Sequence, residues 1–235
     1  MLGFKDFLGT ELLTESGRAA EDRHFAVLRK QIRGAVSANG GPITLKIGKR
    51  KYKNVHKVVQ LRGNPKADFA LVDHNGEHIG FISHKHGEGE SDFQQLGGTS
   101  HLPNDHPEVA KLAGHIRNNR FKTGTHAVKL SAKNARHADL INKAVWGMEH
   151  GSPKSSIENV DHLIQGDTTV TRQKDGSHKL EAAHVYDRGD ELPYKFVMLA
   201  RPGSGRRIGD VKGFRGQIST EGARKIDSFV PRGTK

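Results

Sequence analysis

Asp68, Ser83 and Lys85 are the residues whose types and spacing could do chemistry on a phosphodiester. A carboxylate is a hard oxygen ligand for a divalent cation. A lysine can orient or deprotonate an attacking water and place positive charge beside the transition state. A serine hydroxyl can hydrogen-bond a water between them. The three converge only if the chain between them folds back. Asn75-Gly76 predicts that fold, because a type I′ turn needs φ > 0 at both central positions. In that register Val72 faces Ile79, Ala70 faces Phe81 and Asp68 faces Ser83, with Lys85 one step diagonal. Alternation puts Asp68, Ala70, Val72, Ile79, Phe81, Ser83 and Lys85 on one face. Phe69, Leu71 and Ile82 take the other. Both faces are apolar near the turn, so the two strands, near 67–73 and 79–85, belong inside a sheet. On hairpin geometry alone, a partly exposed cross-strand ion pair explains Asp68 and Lys85 better than catalysis does.

The elements around the hairpin must position it. Residues 16–38 read as a helix that Ser16 can cap, with Phe25, Leu28, Ile32 and Ala35/Val36 at helical spacing and Asn39-Gly40-Gly41-Pro42 as its stop. One turn back from Phe25 is Glu21, which continues the inward stripe. A first-turn acid favoured by the helix dipole is the alternative account of Glu21. Residues 43–62 read as two short strands around Gly48-Lys49. Helices are expected at 108–118 and 133–148, a short one around Phe93, and another at 156–165. Strands are expected at 126–131 and in three runs across 167–200, with a turn at Asp175-Gly176. The fold class expected is α/β, a mixed central sheet flanked by helices. The expected division is a core over 1–150 and a β-rich basic part over 151–235 on the same domain, with 150–156 as the linker candidate.

The chain has 235 residues and a net charge of +12. Such an excess points to nucleic acid, because neutralised phosphates release counterions. Eight Lys/Arg and no acid lie between Ile43 and Ala67. The candidate phosphate-facing residues there are Lys46, Lys49, Arg50, Lys51, Lys53 and Lys66. A second basic group is Arg201, Arg206, Arg207, Lys212 and Arg215, in a Gly-rich C-terminal extension. Its Gly203-Ser204-Gly205 lacks the spacing of a nucleotide-binding P-loop. Absence of cysteine excludes disulfides and thiolate metal sites. No apolar run reaches the length of a membrane span. The first thirteen residues lack the basic start and long apolar core of a signal peptide. A cytoplasmic protein of a bacterial or phage-infected cell is expected, with virion association an alternative.

The strings Pro65-Lys66-Ala67-Asp68 and Ile82-Ser83-His84-Lys85 resemble the PD-(D/E)XK nuclease superfamily, the fold of many type II restriction endonucleases. That motif places an aspartate at a strand end and an acid-x-lysine on the neighbouring strand. Ser83 stands where the acid is usual, which removes one expected metal ligand. The resemblance spans Glu21 to Gln95. It implies a restriction-endonuclease-like fold and a Mg²⁺-dependent DNA endonuclease, with Mn²⁺ as an alternative ion. It implies that Asp68, Glu21 and the backbone carbonyl of His84 hold the metal, that Lys85 acts on the water, and that Ser83 hydrogen-bonds a metal-bound water. Gln95 matches a glutamine that follows the lysine strand in some branches. Double-stranded DNA is the expected partner, and a homodimer is an open alternative. A non-catalytic DNA-binding or virion-associated protein that keeps the fold is the competing reading. The histidines at 74, 78, 84 and 86 suggest an HNH-type nuclease, but no helix with the required ligands follows them.

Overall fold

A computed structural model describes residues 17–63, 65–118 and 123–231. The expectations for Ser16 and for the first thirteen residues lie outside these residues. In chain order the elements are α1 (Gly17–Ala38), β1 (Ile43–Ile47), β2 (Arg50–Gln60), β3 (Phe69–Asp73), β4 (His78–Lys85), β5 (Gly97–Gly98), α2 (Pro107–Asn118), β6 (His126–Leu130) and α3 (Ala135–Trp146). They continue with β7 (His162–Gln165), β8 (Thr169–Arg172), β9 (His178–Glu181), β10 (His184–Asp187), β11 (Phe196–Ile208), β12 (Val211–Thr220) and β13 (Ser228–Phe229). The fold is mixed α/β. It comprises two compact units, each drawn from separate stretches: 1–88 with 155–188, and 89–154 with 189–235.

The first unit is an eight-stranded mixed sheet in the order β10-β7-β4-β3-β2-β1-β9-β8, packed on one side by α1. The apolar stripe of α1 drives that packing. Leu28 and Ile32 are buried, and Phe25, Ala35 and Val36 pack beside them against Leu45, Val58, Phe69 and Ile82. The second unit is a five-stranded sheet in the order β13-β6-β11-β12-β5, with α2 and α3. The Gly-rich basic stretch forms the long β11–β12 ribbon of that sheet.

The hairpin keeps the expected pairing where the chemistry lies. Phe69 faces Ile82 and Ala70 faces Phe81. Near the turn it departs: a bulge between Leu71 and Val72 brings Val72 opposite His78 instead of Ile79. The cause is Asp73. Its carboxylate accepts the N–H of Asn75 and of Glu77, both at 2.9 Å. This side-chain cap favours a turn in which only Gly76 takes positive φ, at 89°, with Glu77 C=O accepting from Asp73 N–H. The result is a three-residue loop with a bulge, not the type I′ turn.

The expected helix at 156–165 is also corrected. Residues 162–165 are β7, parallel to β4 and buried throughout. A four-residue strand, His-Leu-Ile-Gln, buried throughout between β4 and β10, has no exposed side to show alternation, so periodicity does not separate it from a buried helix turn.

Polar groups are buried across the middle of this sheet. The Tyr52 hydroxyl lies 2.8 Å from His162 Nε2, and His162 Nδ1 lies 2.8 Å from Asp187 Oδ1. Asp187 also accepts the Lys49 N–H at 2.8 Å. Asp161, 0% exposed, accepts from the Phe81 N–H at 2.9 Å, from Arg50 and from Ser155. To reach β7, the Tyr52 ring crosses Gly80, where a Cβ would sit 2.7 Å from the ring. Gly80 is therefore a packing requirement. Gly80→Ala should destabilise the protein by about 1–3 kcal/mol through overpacking, read as a lowered denaturant midpoint, whereas Gly34→Ala, where the new Cβ meets nothing within 4 Å on exposed helix, should not.

Candidate active site

Asp68 lies at the open end of the β3–β4 pair. Its N–H donates to the Ile82 carbonyl at 2.8 Å, and its carbonyl accepts from Leu61 at 2.9 Å on the other edge. One residue earlier the chain turns away, with the Ala67 N–H donating to Ile157 at 2.9 Å. The Asp68 carboxylate then serves the neighbouring strand. Oδ2 accepts the His84 N–H at 2.6 Å and the Ser83 hydroxyl at 3.2 Å. Backbone and hydroxyl donors of this kind fix a carboxylate in one orientation. Ser83 is fully buried and holds Asp68. Lys85 follows on the same face, half-buried, at the end of β4.

Glu21 comes in from the first turns of α1. Burial, and then the negative charge of Asp68, raise its carboxyl above the ordinary range; a hydrogen bond from Gln60 and the charge of Lys85 pull the other way. Gln60 Nε2 donates to Glu21 at 3.3 Å and to Asp22 at 2.8 Å. Two carboxylates that repel each other at a partly buried site suit a divalent cation, whose charge removes the repulsion. Asp68 and Glu21 thus fit a hard cation. His84 has its N–H on the Asp68 edge of β4, and the carbonyl of an extended residue points to that same edge. Among the described residues, no group of three or more His, Cys, Asp and Glu side chains could hold a metal. Water, backbone and phosphate oxygens would have to complete the sphere.

Lys66 was expected on a phosphate-facing surface. It is half-buried within the field of the site, its amine pushed down to about 7 by burial and then by the charge of Lys85, against the pull of Asp68 and Glu158. The other basic residues of that run scatter. Lys46 pairs with Asp175 at 2.8 Å, and Arg50 with Asp161. Lys49, Lys51 and Lys53 are exposed around the β1–β2 turn and along β2. In the second unit, Gln95 is half-buried just before β5, Arg201 donates to Gln217 at 3.0 Å, and Arg206, Arg207, Lys212 and Arg215 lie on the β11–β12 ribbon.

Three residues beside the site carry no motif in the sequence. Gln60 steers Glu21. Gln165, fully buried, pairs with Lys85 in the parallel β4–β7 register and so lies on its face of the sheet. His24, buried on α1, reaches His86 Nδ1 at 2.8 Å and lies tilted against the His84 ring, centroids 4.5 Å apart. An i, i+3 count from Glu21 points to His24; Gln165 became visible only with β7.

The chain is 26% identical over 199 residues to the type II restriction enzyme CviJI of Paramecium bursaria Chlorella virus IL3A, a match covering 72% of this chain. The match spans 55% of that enzyme, about half its length. No family model and no solved structure matches.

His84 offers a local check. Burial pushes its imidazole down to about 4, against a hydrogen bond to the Gly166 carbonyl at 2.8 Å. The unfolded value is near 6.5. Protonation therefore favours the unfolded chain: this contribution is full above about pH 6.5 and is lost as pH falls toward 4. Imidazole NMR should find His84 neutral at pH 5.5, and titration near 6.5 would contradict its burial.

Proposed function

We propose that the chain is a metal-dependent DNA endonuclease of the PD-(D/E)XK type. The observation that carries this reading is the Asp68 carboxylate, fixed by the Ser83 hydroxyl and the His84 N–H within the field of Glu21 and Lys85. The sequence likeness to a type II restriction enzyme supports it. Asp68 and Glu21, with the His84 carbonyl, would hold Mg²⁺ or Mn²⁺. When bound, the cation lowers the pKa of a water and offsets charge on the scissile phosphate. Lys85 would orient or deprotonate the attacking water and place positive charge beside the phosphate. Ser83 keeps Asp68 in one rotamer. Lys49, Lys51 and Lys53 and the cations of the β11–β12 ribbon take duplex DNA phosphates. Double-strand cutting would call for two such sites, hence a homodimer, acting on DNA in the cytoplasm of a bacterial or virus-infected cell.

One observation favours a second reading, a DNA-binding protein that does not cut. Ser83 is committed to Asp68 where the motif usually carries an acid. Supercoiled plasmid with Mg²⁺, Mn²⁺ or EDTA separates the two. Wild type should nick or linearise only with metal. Asp68→Ala and Lys85→Ala should cut at least about 100-fold more slowly, and Glu21→Ala at least about tenfold more slowly. Clean wild type that binds DNA and leaves it intact in both metals supports the second reading.

A further inference from the structure

The β11–β12 ribbon carries like charges directly opposite each other. Its register sets Arg201 across from Arg215 and Arg207 across from Lys212. Opposed like charges weaken an antiparallel pair. Among the described residues, Arg206, Arg207, Lys212 and Arg215 have no acidic partner. The one acid at the turn, Asp210, is taken by Arg117 on α2. The outer ribbon therefore holds a concentrated positive charge that, among the described residues, no acid pairs with.

The charge borders a shaped space. Two cavities, of about 420 and 110 Å³, are both lined by Thr99, Ser100, Arg206 and Arg207, and the smaller one also by Arg215. At ~30 Å³ per water, the smaller one has the room of three or four waters, enough for a phosphate group. Its wall is close-packed: a Cβ on Gly216 would run into the Thr99 hydroxyl. The ribbon is also held in place. Gly209, at φ 56°, packs on α2 so closely that a Cβ there would sit 3.2 Å from the Ala113 side chain, next to the Arg117–Asp210 pair. Backbone amides and hydroxyls beside arginines are the usual donors to nucleic-acid phosphates. A two-stranded ribbon also fits a duplex groove.

We infer that the outer part of the β11–β12 ribbon, with Thr99 and Ser100, is a phosphate clamp for a backbone segment of duplex DNA. Arg206, Arg207 and Arg215 supply the charge; the two hydroxyls donate to the phosphate oxygens. The clamp grips DNA independently of the Asp68–Lys85 chemistry. Its choice of ligand rests on the proposed DNA substrate.

The test is binding of a fluorescent duplex by the full chain in EDTA, from about 50 to 200 mM salt. Replacing Arg206, Arg207 and Arg215 together by Gln should weaken binding and lower the salt slope by about one per lost cation. The triple Arg→Lys variant should keep the slope and bind more weakly than wild type, having lost the guanidinium forks. Without DNA, Arg207→Gln should melt above wild type, because the repulsion with Lys212 is gone. An unchanged slope in the Gln triple variant, or wild type that binds no duplex, overturns the clamp. The nuclease proposal is judged separately by the plasmid. Cutting with an unchanged slope sinks only the clamp, and ribbon-dependent binding without cutting sinks only the nuclease.

Discussion

The N–H of His84 needs an acceptor at the point where β3 ends, and the carboxylate of Asp68 provides it at 2.6 Å. A buried backbone donor without a partner costs a few kcal/mol, so the strand edge selects a side chain that can fill the gap. The carboxylate is thereby fixed beside Ser83, two residues from Lys85 along β4. The β3–β4 pairing sets its height, the departure of the chain at Ala67 leaves its place open, and the Asp68 backbone bonds to Ile82 and Leu61 keep it there. The site's geometry rests on this bond.

Around it, burial and charge act together. Glu21 and Asp68 repel, Lys85 attracts both, and Lys66 is pushed toward neutrality in the same field. Electrostatic frustration of this kind lowers stability and persists where a ligand relieves it. The same holds for the opposed Arg207–Lys212 pair on the ribbon. Across the middle of the sheet the opposite solution applies. There Asp161 takes Arg50, Ser155 and a backbone N–H, so its charge is met within the fold.

Much of the first unit was legible in the sequence. The apolar stripe of α1, the strands on either side of Gly48-Lys49 and the Asp68–Ser83 neighbourhood follow from local periodicity, because each is decided by residues close in the chain. The turn was misread because the Asp73 side chain, not the Asn-Gly dipeptide alone, decides its conformation. β7 was misread because its partner β4 lies far away in sequence and a parallel return leaves no local mark. Gln165 was hidden with it. Basic composition likewise did not reveal that Arg50 and Lys46 are paired with acids more than a hundred residues distant. Charge counts see the total, and only the fold shows which cations remain for a ligand.

The central claim is that Asp68 and Glu21 form one cation site. Its most direct test is Mn²⁺ binding followed by electron paramagnetic resonance on wild type, Asp68→Asn and Glu21→Gln. Saturable binding by wild type that is weakened by either substitution is the predicted result. Equal binding by all three proteins would contradict it.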